Sequence, residues 1–176
     1  MKKAWVGLLA GLALLLTQGA ARADVFSVFA DAPVASSLEL DKQSTVKADG
    51  VSGYKVGVTL PIFLGLAYES YAIKLSKSAG DFDVSMADVF LNLPFPVVNL
   101  AIGLGAGTGT SNGNAGDFYK AGQLTQYWAS IGIPFAVLFD VHLGYHVFSG
   151  SLPGKPNVPD SDVKGTMTSL GVKVGF

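Results

Sequence analysis

Three features of the sequence predict an all-β chain folded as an eight-stranded antiparallel up-and-down transmembrane β-barrel. Apolar residues recur at every second position in runs of about ten to fourteen residues. That is longer than the roughly five or six residues of a soluble strand and suits the roughly nine to eleven tilted residues that cross a bilayer. Only 14% of the residues are charged while 49% are hydrophobic, where a soluble domain carries about 25% charge. Finally, the connections alternate between short proline turns and mostly longer polar loops.

The elements follow in order. Residues 1–23 read as a cleaved secretory signal peptide: Lys2 and Lys3 form a basic start, Ala4 to Leu16 is uncharged and apolar, and Ala21-Arg22-Ala23 is a small-x-small cleavage site. The apolar run falls short of the ~20 residues of a membrane-crossing helix, and no Cys follows to carry a lipid. Residues 24–176 form the barrel domain. They hold nine lysines, no arginine and thirteen acidic residues, a net charge of −4. This argues against nucleic-acid binding, which wants a basic patch and Arg forks. The absence of Cys fits export to an oxidising compartment.

Eight strands are predicted, at about 25–33, 51–60, 64–76, 81–93, 97–107, 122–133, 137–148 and 163–176. Tyr54, Val56, Val58 and Leu60 share one face of the second. In the fifth, Val98, Leu100, Ile102 and Leu104 oppose Asn99, Ala101, Gly103, Gly105 and Gly107. In the seventh, Val137, Phe139, Val141, Leu143, Tyr145 and Val147 oppose Leu138, Asp140, His142, Gly144, His146 and Phe148. Around Glu69-Ser70 and Met86-Ala87-Asp88 the apolar parity changes, which suggests a bulge or a bend and leaves the facing of those strands open. The small-residue face suits a narrow lumen and would make a poor soluble exterior, so a lipocalin-like soluble barrel fits less well.

One pattern marks three reversals: Leu60-Pro61-Ile62-Phe63-Leu64, Leu93-Pro94-Phe95-Pro96-Val97 and Ile133-Pro134-Phe135-Ala136-Val137. Proline presets φ for a tight turn and has no N–H to lose from the ladder. The opposite connections, at about 34–50, 77–80, 108–121 and 149–162, are mostly longer and polar. Short turns on the periplasmic side and long extracellular loops are the asymmetry of an outer-membrane barrel, which places Pro61, Pro94 and Pro134 in periplasmic turns.

The last strand alternates Leu170, Val172, Val174 and the terminal Phe176. Here the chain resembles the small eight-stranded outer-membrane β-barrels of Gram-negative bacteria, of the OmpA transmembrane domain and OmpX type. The resemblance implies the cell outer membrane as location and makes Leu170, Val172, Val174 and Phe176 an insertion signal. It implies as partners outer-membrane lipids and lipopolysaccharide, the barrel insertion machinery and periplasmic chaperones, with the chain a monomer.

Parity puts Asp140, His142 and His146 on one inward face, with Asp140 and His142 about 6.6 Å apart. Two readings compete. One is a general base or metal ligand. The other, which the lack of third and fourth convergent ligands favours, is a lumen polar network with Lys55 and Lys173 as counter-charges for Asp140 or Glu69. No catalytic residue, metal site or cofactor is expected. The deacylase type among similar barrels carries a His and a Ser two positions apart; here Gly144 follows His142 and Phe148 follows His146.

Three functions remain in view: a non-enzymatic structural or surface-interaction protein acting through its loops, a narrow channel or carrier for a small apolar solute, and a lipid A-modifying enzyme. The chain is far too short for the ~16 strands of a general porin. The tyrosines Tyr54, Tyr68, Tyr71, Tyr127 and Tyr145, with Trp128, belong either to headgroup girdles or to the lumen.

Overall fold

In the computed structural model, which describes residues 26–40, 44–46, 48–75, 80–95, 97–113, 118–135 and 139–176, the chain closes into an antiparallel barrel. Eight long strands form its wall: β1 (Ser27–Leu40), β3 (Ala48–Thr59), β4 (Leu64–Leu75), β5 (Gly80–Pro94), β6 (Asn99–Ser111), β7 (Gly122–Pro134), β8 (Phe139–Leu152) and β9 (Ser161–Gly175). A three-residue strand, β2 (Ser44–Val46), pairs with the far end of β1. Each long strand pairs with its sequence neighbour, and β1 with β9 closes the circle. Closure removes free edges, which lipid cannot satisfy.

The prolines sit at the short-turn end. Pro61 lies within a turn in which the Phe63 N–H donates to Leu60 O (3.1 Å), Phe63 taking a positive φ of 61°. Pro94 and Pro134 end β5 and β7, and beyond them the Phe95 N–H donates to Val98 O and the Phe135 N–H to Phe139 O, both at 2.9 Å. Phe26 and Phe176 meet at the same rim, the Phe176 N–H donating to Phe26 O at 2.8 Å.

Alternation is regular through the positions where parity looked broken. β4 and β5 stay in register from Leu64–Leu91 to Leu75–Gly80 with no bulge. Glu69 and Tyr71 both point inward, as do Met86 and Asp88. The apparent parity change has a different cause. Near the turns the outward residues are apolar, as in Leu64, Leu66 and Tyr68. Farther up, the outward residues become polar and the inward ones apolar, as in Lys74 outside against Ile73 and Leu75 inside. Polarity inverts while facing stays constant.

The switch occurs at one level. After the apolar belt the next outward residue is Ser52 on β3, Ser70 on β4, Ser85 on β5, Thr108 on β6, Thr125 on β7, Ser149 on β8 and Thr168 on β9. Beyond this hydroxyl ring the strands continue as a barrel of soluble type. That is why they outrun the predicted boundaries: β1 runs to Leu40, β6 to Ser111 and β8 to Leu152, into segments expected to be loop.

Inside, large side chains lie over glycines of adjacent strands. A Cβ on Gly103 would stand 2.5 Å from the Trp128 indole, one on Gly65 would stand 2.0 Å from Phe90, and one on Gly165 would stand 2.1 Å from Phe148. The small-residue face of β6 thus makes room for its neighbours' rings. At the loop end the lumen is filled by an apolar cluster that includes Leu38, Ile73, Phe82, Met86, Leu124, Phe148, Val163 and Met167. Phe148, Ile73 and Val163 are fully buried.

Candidate functional site

Below the apolar cluster the lumen turns polar. Eight titratable side chains are buried there: Asp31, Glu69, Asp88 and Asp140, two lysines, Lys55 and Lys173, and two histidines, His142 and His146. Each comes from an inward position of β1, β3, β4, β5, β8 or β9. Burial of a charge is costly unless it is paired, so their mutual arrangement decides whether the barrel is stable.

The deeper group centres on Lys55. Its Nζ lies 3.0 Å from Asp88 Oδ2 and 3.5 Å from Glu69 Oε2. It also sits 3.5 Å above the Trp128 ring, a cation–π contact strengthened by the burial of both groups. Gln126 Nε2 donates to Asp88 Oδ1 at 2.6 Å. His146 also stacks on Trp128, with ring centroids 5.7 Å apart and an interplanar angle of 20°.

The group nearer the turns centres on His142, whose two ring nitrogens each face a carboxylate. Nε2 lies 2.5 Å from Asp31 Oδ1 and Nδ1 lies 3.5 Å from Asp140 Oδ1. Lys173 Nζ reaches Asp140 Oδ2 at 3.1 Å, and Asn99 Nδ2 donates to the same oxygen at 2.5 Å. Ser169 joins the two groups, with Oγ 3.3 Å from His146 Nε2 and donating to Asp31 Oδ2 at 3.5 Å.

The structure therefore places Asp140, His142, His146, Lys55 and Lys173 in one connected lumen network. Lys173 pairs with Asp140 and Lys55 with Glu69. Sequence reading missed Asp31, Asp88, Gln126, Asn99 and Ser169 as members. Asp31 alternates with Val28 and Ala30 on β1, so its inward facing was available as a signal. Its partnership with His142 depends on the β1–β9–β8 register and was not. Trp128 and Tyr71 lie in the lumen, whereas Tyr54, Tyr68, Tyr127 and Tyr145 face outward.

Ser169, His146 and Glu69 stand in the order of a nucleophile, a base and an acid, with His146 Nδ1 3.5 Å from Glu69 Oε2. Each is at most 1% exposed, and Trp128 covers the imidazole. A nucleophile has to reach a carbonyl carbon, and here only protein surrounds it. Among the described residues no group of three or more His, Cys, Asp or Glu is arranged to hold a metal ion. A cavity of about 30 Å³ lies toward the turn end, bordered by Asp31, Asn92, Asn99, Asp140, His142 and Lys173 among others. That is room for one or two waters.

No family model matches the sequence, and no curated protein is significantly similar to it. Solved structures do match. The chain is similar to Neisserial surface protein A, with a TM-score of 0.67 at 15% identity over 86% of this chain and 97% of that one. The fold is that of the small outer-membrane barrels. The same architecture recurs in Ail, the attachment invasion locus protein of Yersinia pestis, with a TM-score of 0.53 at 16% identity over 85% of this chain and 99% of that one. It recurs in the outer membrane protein AlkL, with a TM-score of 0.51 at 11% identity over 89% of this chain and 93% of that one.

Proposed function

We propose that the chain is an integral protein of the outer membrane, exported with residues 1–23 removed, whose lumen is filled and whose work is done at its loop end. The role is structural or one of surface interaction, without catalysis. The observation that carries this reading is the two-layer interior. Apolar side chains fill the loop-end half, an ion-paired network fills the other, and the cavity bordering that network holds only about 30 Å³.

The outer face supports the membrane location. Leu104, Ile131, Ile133, Leu143 and Val172 are between 50% and 65% exposed, an arrangement that water would penalise and lipid would not. Above the hydroxyl ring the strands project with polar outer faces, a rigid platform for the loops. Two proteins of similar fold bear names that speak of a surface protein and of attachment and invasion. On this reading outer-membrane lipids and lipopolysaccharide surround the belt. The terminal strand with Leu170, Val172, Val174 and Phe176 is handed from periplasmic chaperones to the insertion machinery, and the barrel works as a monomer.

Two experiments test it. The folded protein in planar bilayers is expected to give no single-channel current; steps that reproduce with insertion would favour the channel reading instead. Cells lacking the protein are expected to have an unchanged lipid A mass spectrum. A shift restored by the wild type but not by His146→Ala would replace this reading with an enzyme.

A further inference from the structure

The large hydrophobic side chains that the surface exposes are distributed unevenly. Among the described residues they belong to the lipid belt or the turn rim, with one exception, Phe118, which is 54% exposed at the loop end. It lies seven residues beyond Thr125 of the hydroxyl ring. At about 3.3 Å per residue and a strand tilt of about 40°, it stands roughly 17 Å above that ring. Acyl chains do not reach that height, so the belt does not account for the exposed ring.

The backbone around it is fixed. Tyr119 pairs with Gly154 and packs against the apolar loop-end cluster. Its neighbours in the chain, Phe118 and Lys120, therefore turn to the outside, since successive residues of an extended segment face opposite ways. On either side of the bridge the Lys120 N–H donates to Pro153 O at 2.9 Å and the Lys155 N–H to Phe118 O at 2.8 Å. The facing segment is held in turn by the Val158 N–H on Lys155 O and by the Gly154 N–H on Asp160 Oδ1, both at 2.9 Å. Pro153, Pro156 and Pro159 restrict it further. An aromatic side chain on such a base loses little freedom when it binds.

The surroundings of the ring select its occupant. Lys155 stands across the bridge from Phe118, and Lys120 is exposed two residues on and forms no ion pair among the described residues. A stable protein interface buries more than about 1,000 Å², which one ring among charged groups does not supply. A sugar ring matches it: one C–H face stacks on the aromatic, and a rim of hydroxyls meets the polar neighbours. The direction of the face sets the source. The outer side of the barrel wall looks along the membrane, toward the glycolipids standing beside it, whose saccharide carries acidic groups complementary to lysine.

We propose that Phe118 and Lys120 form a saccharide-binding site on the projecting segment that precedes β7. A sugar of a neighbouring lipopolysaccharide stacks on the Phe118 ring, and an acidic group of the same saccharide pairs with Lys120. The inference rests on the membrane reading above and gives the surface interaction a partner of defined chemistry.

The test is photocrosslinking from p-benzoylphenylalanine placed at position 118 of the folded protein, in phosphatidylcholine vesicles holding either rough-type lipopolysaccharide or lipid A freed of its outer saccharide. Glycolipid adducts are expected to be at least tenfold more abundant with the lipopolysaccharide. They are also expected to be at least fivefold more abundant than from the same probe at Thr110, another outward position above the hydroxyl ring. Lys120→Gln is expected to lower them at least threefold. The unmodified protein gives a second readout by calorimetry with the saccharide released by mild acid: the Kd should rise at least tenfold in Phe118→Ala and stay within twofold in Phe118→Trp. Equal adducts from the two glycolipids, equal yields from positions 118 and 110, or a saccharide that the wild type binds no better than Phe118→Ala would overturn the site. So would adducts to a protein in place of the glycolipid when the probe at position 118 is used in whole cells. The probe at Leu104 is expected to label acyl chains in both kinds of vesicle, and its failure to do so would overturn the membrane reading itself.

Discussion

Lys55 is the residue on which the lumen depends most, and its removal gives a quantitative prediction. Lys55→Met keeps an unbranched chain of similar length over Trp128 but leaves Glu69 and Asp88, both almost wholly buried, without their shared cation. Breaking a buried pair by removing one partner costs about 3–5 kcal/mol, and loss of the cation–π contact adds to that. We expect about 4 kcal/mol of destabilisation. With a urea slope of about 2 kcal/mol/M, the unfolding midpoint in vesicles falls by about 2 M. Emission from Trp128, the one tryptophan of residues 24–176, reports the transition. The control removes the orphaned charges as well. Because a buried ion cluster replaced by neutral groups of similar volume is often neutral or stabilising, Lys55→Met with Glu69→Gln and Asp88→Asn is expected to lie within about 1 kcal/mol of the wild type. A single variant as stable as the wild type would refute the ion-pair account, and a triple variant as unstable as the single would assign the effect to packing.

Other consequences follow from the same geometry. Gly103→Val drives a side chain into the Trp128 ring, and its cost of about 1–3 kcal/mol should fall when Trp128→Leu is added, as measured by urea unfolding of the pair. Phe148→Ala opens a cavity in the loop-end cluster and is expected to cost about 3–5 kcal/mol by the same measurement. On the outer face, Leu104→Arg is expected to cost about 2–4 kcal/mol in bilayers, while Thr110→Arg, above the hydroxyl ring, should change stability by less than about 0.5 kcal/mol. Equal effects at these two sites would argue against a lipid belt.

Much of the wall was legible because its physics is local. Period-two alternation over β6, β8 and β9 assigned facing correctly, since a strand turns alternate residues to opposite sides whatever its neighbours do. The loop-end extensions were not legible, because there the apolar face moves inside and a reader following the lipid face loses the strand at Thr108 or Ser149. The same inversion imitated a bulge near Glu69 and Asp88. Within the lumen, parity alone placed Asp140, His142 and His146 on one face of β8 and pointed Lys55 and Lys173 toward them. Which carboxylate meets which cation, and which glycine lies beneath which ring, depends on register between strands far apart in the chain, 111 residues in the case of Asp31 and His142. That β1 and β3 pair only from Ser27–Thr59 to Asp31–Lys55 is likewise a property of two strands together.

The central claim, a closed barrel that lives in the outer membrane, is tested most directly by gel mobility of the protein extracted with detergent from the outer-membrane fraction. The account predicts that it is found in that fraction and that its unboiled form migrates differently from its boiled form, since a closed barrel resists unfolding by detergent until heated. A protein recovered from the soluble periplasm, with one mobility before and after boiling, would contradict it.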